Sequence, residues 1–349
     1  MIWRKVIASL LVIFLTIASA YSQIGGSRAF AFLETPNHAR IAGLGTANVS
    51  SNADDVNMVW QNPALLNSNM DGHISFSVNP YFADIYSSQL TYAHNFEKQG
   101  VFSFGLTYFQ YGQFEGYNNT GAATEDFNAS DYAIQVSHSR EDGIFRYGAN
   151  LKFVGSQISG FNQSAILTDL GGAFVHPEEE MSVGLVIKNV GFFTSKFTDE
   201  NKNLPFDVQL GGTYKPEFMP FRFSLTLNRL YQYDLSYFDE SLLSDDDNVI
   251  FRDVNNNPPS SFDKIFQHIT IGTEVILGKN LNLRAGYNHL IRKALKAEQV
   301  GGAGGFTFGL YFQTKKFSLA YSSAIYQAGG FAHFITLGSN LKEFVKKKS

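Results

Sequence analysis

The chain has 349 residues, no cysteine, 27 basic against 31 acidic side chains and a net charge of −4. That balance excludes the basic surface of a nucleic-acid binder, and the missing cysteines exclude a disulfide-stapled secreted scaffold. With 44% hydrophobic and 15% aromatic residues, including 33 Phe and 17 Tyr, and with 31 Gly, the composition suits an outer-membrane β-barrel better than a periplasmic α/β enzyme.

The first element is a leader. Arg4 and Lys5 precede an apolar run from Val6 to Ala18, and Ala18-Ser19-Ala20 supplies an A-x-A cleavage site. The run is shorter than the ~20 residues of a membrane helix, so residues 1–20 are expected to be a secretory signal peptide. No cysteine follows it to carry a lipid. Removing Arg4 and Lys5 leaves 25 of the 27 basic residues against 31 acidic ones, a net charge of −6. No later stretch reaches ~18 apolar residues, so no transmembrane helix is expected after it.

Residues 21–72 are rich in Gly and Ala and show no long alternation. Beyond them the apolar period is two. Phe102, Phe104, Leu106 and Tyr108 alternate with Ser103, Gly105 and Thr107; Leu281 to Asn288 and Phe317 to Tyr321 repeat the pattern. Strands are expected at 73–80, 86–96, 100–111, 130–139, 143–155, 165–176, 180–192, 206–215, 220–233, 265–277, 280–289, 304–314, 316–325 and 331–340, fourteen in all. Most reach the ~9–11 residues that a tilted strand needs to cross hydrocarbon, against ~5–6 in soluble sheets. Short connections at 97–99, 140–142, 177–179, 215–219, 278–279 and 315 alternate with longer polar ones at 112–129, 156–164, 193–205, 234–264 and 290–303.

The fold expected is therefore all-β: a 14-stranded antiparallel transmembrane β-barrel over 73–340, ending in a basic periplasmic tail at 341–349. Both termini would be periplasmic and the long loops extracellular. Such a ring is wider than the ~8 strands whose side chains fill their own interior. Residues 21–72 are thus expected to enter the lumen as a plug. Within them, Pro63 removes a backbone donor and biases Asn62 toward an extended shape, which the Asn62 amide can cap. Val56, Met58, Trp60, Leu65 and Leu66 would pack on the inner wall. Arg284, Glu274 and Lys152 fall on predicted lumen faces.

Motifs for chemistry are missing. The eight histidines show no HExxH and no zinc spacing, and no G-x-S-x-G marks a nucleophile. Gly301-Gly302-Ala303-Gly304-Gly305 lacks the GK[ST] ending of a phosphate loop. Neither an enzyme nor a bound metal or cofactor is expected. The longest loop, near 234–263, joins acids (Asp245, Asp246, Asp247) to aromatics (Tyr233, Tyr237, Phe238). A partner-docking surface is the reading of that combination.

Two stretches carry a resemblance. "FLETPNHARIAGLGTANVS" (32–50) and "DDVNMVWQNPALL" (54–66), ahead of the alternating strands, resemble the PorQ family, FadL-like outer-membrane barrels of the type IX secretion system of Bacteroidota, related to PorV. The matching plug signature is Asp55, Asn57, Asn62, Pro63 and Ala64. The resemblance implies a barrel of the cell-surface attachment complex. It would anchor a PorZ-like surface protein beside a PorU-like sortase and a PorV-like barrel, in contact with the lipid bilayer and lipopolysaccharide, and support attachment of secreted cargo. Asn-Pro-Ala also occurs in FadL-type transporters, so a FadL-like transporter of hydrophobic small molecules is the alternative.

Overall fold

The computed structural model describes residues 28–81, 84–118, 120–197, 202–235, 260–294, 304–327 and 330–344. The leader expected at 1–20, the expected docking-loop residues Tyr237, Phe238, Asp245, Asp246 and Asp247, the Gly301–Ala303 stretch and residues 345–349 lie outside them.

Strand residues alternate sides, so a period-two sequence gives each strand one large apolar face and one small or polar face. Fourteen such strands form one closed antiparallel ring. They are His73–Pro80 (β1), Tyr86–Phe96 (β2), Gly100–Tyr117 (β3), Ala123–Asp142 (β4), Phe145–Ile158 (β5), Phe161–Val175 (β6), Met181–Ser195 (β7), Asp207–Tyr214 (β8), Phe221–Leu227 (β9), Ile269–Leu277 (β10), Leu281–Asn288 (β11), Phe306–Gln313 (β12), Phe317–Gln327 (β13) and Gly330–Asn340 (β14). Each pairs with its sequence neighbours, and β1 closes on β14 with Ser75 opposite Gly338. Closure gives every strand a neighbour on each side. Phe104, Leu106, Tyr108, Leu283 and Leu319 point outward and are exposed, while Ser103, Thr107, Gln135 and Arg284 point inward and are buried.

The core is the inside of the ring. It is filled by the segment 29–71, which folds as the short helix Ala39–Gly43 and the 3-10 turns Ala31–Glu34, Val56–Trp60, Pro63–Leu65 and Ser68–Met70. Three of these turns begin at an Asx side chain that accepts the amide two residues on: Asp55 from Asn57, Asn62 from Ala64 and Asn67 from Asn69. Such caps let a polar chain turn tightly where no ladder is available. Ile41, Met58, Leu65, Leu66 and Met70 are fully buried. The wall makes room with glycine. A Cβ on Gly171 would lie 2.0 Å from Asn62 Oδ1, one on Gly184 2.0 Å from the Val49 carbonyl, and one on Gly286 2.0 Å from the Gly45 nitrogen.

Connections depart from the expected ones. The loops placed at 112–129 and 156–164 are strand except at 118–122 and 159–160. The β3–β4 pairing runs on through Gln113 opposite Asn128 to Tyr117 opposite Ala123. The β5–β6 pair closes in a two-residue turn at Ser159 and Gly160, whose φ angles of 48° and 82° fit a hairpin. Polar composition suggested loops, but cross-strand pairing continues past the apolar belt. Elsewhere the strands are shorter than expected. β9 stops at Leu227, because Asp207 Oδ1 captures the Arg229 amide at 2.7 Å and Arg229 turns to φ 55°. Ser260 caps a helix at Ser261–Phe266, so β10 starts at Ile269 rather than 265. A second short helix, His289–Ala294, follows β11.

Candidate functional site

The lumen centre is charged. Arg40, in the inner helix, bonds Asp55 at 2.9 Å and reaches Glu274 at 3.3 Å. Glu274 of β10 stands directly between Arg222 of β9 and Arg284 of β11 in register, at 3.0 and 2.8 Å. Arg284 also lies over the Tyr311 ring, 5.0 Å from its centroid. Arg40, Glu274 and Arg284 are all buried. Glu274 thus ties Arg40 of the inner segment, itself paired with Asp55, to the wall guanidiniums of Arg222 and Arg284. Losing any member strands the others in low dielectric. A second buried pair, Lys152 with Asp169 at 2.8 Å, lies further round the wall.

The signature residues sit in this framework. Asn57 donates to Asp55 and to Ser75 Oγ at 3.0 and 2.7 Å and accepts from Gln89 at 3.0 Å. Asn62 donates to the Val49 carbonyl at 2.9 Å, and Pro63 and Ala64 follow it in the turn it caps. These residues are inside the barrel, where Asp55 and Asn62 hold backbone amides of the inner turns. Among the described residues, no group of His, Asp and Glu could hold a metal ion.

The end of the barrel carrying the long connections has two sides. On the β2–β7 side, Phe30 and Phe32 of the inner segment pack in an apolar cluster with Phe109, Leu167, Tyr81, Tyr111, Phe193 and Leu204. Phe30 stacks on Phe193 at 5.9 Å and is held at φ 54°. On the β7–β11 side a polar cleft opens, lined by Lys188, Asp207, Gln209 and Arg229 among others.

Between the two sides the wall is irregular. A bulge turns both Lys188 and Asn189 inward, with Asn189 at φ 59° and its amide bonded to Asp169 Oδ1 at 2.8 Å. Below it, Met181–Lys188 pair with β8; above it, Val190–Ser195 pair only with β6. The missing partner is replaced by single contacts. Asn189 donates to the Pro205 carbonyl at 2.8 Å, and Arg28 forms an isolated bridge to Asn203. Val190 and Phe192 face outward and Phe193 inward. Sequence reasoning missed this break; Lys188-Asn189-Val190-Gly191, a polar pair and a glycine inside a strand, was the available signal.

Of the docking-loop residues, Tyr233 is described and is 66% exposed at this end. Beside it, Asp263 bonds Lys293 at 2.8 Å and His289 at 3.4 Å, joining the two outer helices. The hydrogen bond from Lys293 holds the Asp263 carboxyl at about 2, below its ordinary value.

No protein-family model matches the chain, and no curated protein matches it. Solved structures do. The P. putida toluene transporter TodX aligns over 88% of this chain and 99% of its own, at 13% identity and TM-score 0.53. A deltaS2 mutant of the TodX monoaromatic hydrocarbon channel aligns over the same shares at 12% identity and TM-score 0.50. A Pseudomonas aeruginosa FadL homologue aligns over 88% and 98%, at 11% identity and TM-score 0.47. At such identities the likeness is one of fold: this chain is a closed 14-stranded antiparallel barrel of the architecture seen in TodX.

Proposed function

We propose that the chain is an outer-membrane transporter of small hydrophobic molecules, in which residues 29–71 plug the lumen and the apolar outer face meets lipid. The observation that carries this reading is Phe30. A bulky non-glycine residue in the left-handed region stores ~1–3 kcal/mol and persists where the surroundings impose it. Here the ring fills the apolar side of the mouth, the place a hydrophobic guest of similar size would take. Fold likeness to a toluene transporter makes monoaromatic hydrocarbons the first class to try. The charged centre denies such a guest a straight path down the axis. The incomplete β7–β8 ladder offers a sideways one, from Phe193 toward the outward Val190 and Phe192. The test is uptake of labelled toluene by cells with and without the protein. Uptake should fall on deletion, return with the wild-type chain and rise with Phe30→Ala. Equal uptake in all strains sinks the reading.

A second reading rests on the exposed Tyr233 and on long connections gathered at one end. In it, that end docks a surface protein of the type IX attachment complex, as the sequence resemblance implies. Deletion would then release secreted cargo into the medium and leave toluene uptake unchanged.

A further inference from the structure

The polar cleft, across the mouth from Phe30, holds about 90 Å³. Lys188 reaches it from the bulge and is 7% exposed. Among the described residues its ammonium makes no hydrogen bond and no ion pair. Three buried carbonyl oxygens lining the same cleft, Gln209 Oε1, Asn228 Oδ1 and Gln267 Oε1, have no donor. The nearby carboxylates are engaged. Asp207 accepts from Gln209 Nε2 at 2.5 Å and from the Arg229 amide at 2.7 Å. Glu34 accepts from Arg28 at 2.5 Å and from Arg229 at 3.4 Å.

A buried cation with no direct ion-pair or hydrogen-bond partner and three acceptors without donors are each costly when left alone. They are also complementary to one kind of guest. It carries an anionic group for Lys188 and, a bond or two away, hydroxyl or ammonium hydrogens for the amide carbonyls. The volume is below the ~150 Å³ of a cavity that takes benzene, which limits the guest to a small molecule. We propose that this cleft binds a small α-amino or α-hydroxy carboxylate, with its carboxylate on Lys188 and its α-substituent donating to Gln209, Asn228 and Gln267. The polar groups that would hold this guest stand apart from the apolar cluster around Phe30, and Leu33 borders both.

Calorimetric titration of the detergent-purified full-length barrel with L-serine, L-lactate, acetate and glycerol tests this. Serine or lactate should bind saturably. Acetate, which lacks the donor, and glycerol, which lacks the charge, should bind at least tenfold more weakly. Lys188→Met should weaken serine or lactate at least tenfold while the gel mobility of the folded barrel is kept. Gln267→Leu, outside the strands, should weaken them severalfold and leave acetate unchanged. The proposal is overturned by no saturable binding of serine or lactate, by glycerol binding as tightly as lactate, or by wild-type affinity in either variant.

Discussion

Single residues decide how the inner segment is held. Glu274 is the hub, since Arg40, Arg222 and Arg284 all converge on it. Breaking a buried ion pair on one side costs about 3–5 kcal/mol. Glu274→Gln is therefore expected to lower the urea midpoint clearly; an unchanged midpoint would show that the cluster adds nothing to stability. Trp60 reports the same event. It is buried, bonds Thr91 Oγ1 at 3.0 Å, and is the chain's one tryptophan besides Trp3. Its emission should shift to the red if the segment leaves the lumen. A glycine pair gives a sharper comparison. A Cβ at Gly171 collides with Asn62, whereas at Gly172 it meets nothing within 4 Å. Gly171→Ala should destabilise the barrel and move the Trp60 emission. Gly172→Ala should stay within ~0.5 kcal/mol of wild type in the same unfolding assay.

At the scale of elements, strand length is uneven and the mouth follows from it. β3 and β4 run 18 and 20 residues, while β8 and β9 run 8 and 7. The low side is roofed by the two outer helices, joined through Asp263 and Lys293. Because the folded Asp263 value of about 2 is depressed, its contribution is complete above the ordinary carboxylate value near 4. It is lost as pH falls from there through about 2. Protease cleavage within 260–294 should thus rise over that acid window, and Asp263→Asn should show the raised rate already at neutral pH. A cleavage rate independent of pH in the wild type would refute the linkage. Most strand centres were readable from alternation; several ends were not. Polar residues at 112–129 look like a loop by composition, yet much of the stretch stays in the β3–β4 ladder, from Gln113 opposite Asn128 to Tyr117 opposite Ala123, across two register shifts. Leu230 to Tyr233 look like strand, yet leave the sheet because the Asp207 carboxylate competes for the Arg229 amide.

For the molecule as a whole, closure has a direct signature. A ring with every strand paired on both sides should resist dodecyl sulfate at room temperature. Unboiled and boiled samples should then migrate differently on a gel, and identical mobility would speak against the barrel. The filled lumen predicts a further contrast in planar bilayers. The full-length protein should be nearly non-conducting, and the chain lacking 29–71 should be leaky if it assembles. A full-length protein with steady large-pore conductance would remove the plug.

The sequence by itself determined the class of this protein. Period-two alternation and long strands call for a closed antiparallel barrel, and Asp55 and Asn62 already carried the capping chemistry of two inner turns. It also placed Glu274 and Arg284 on the lumen side, because alternation fixes which face a side chain takes once the register is known. Only the tertiary structure decided who meets whom. The Arg222–Glu274–Arg284 row needs three strands in register, with Arg40 arriving from more than two hundred residues earlier in the chain. The β7 bulge that turns Lys188 and Asn189 inward together, and the split of the mouth into an aromatic and a polar side, arise from long-range pairing. No local periodicity encodes that.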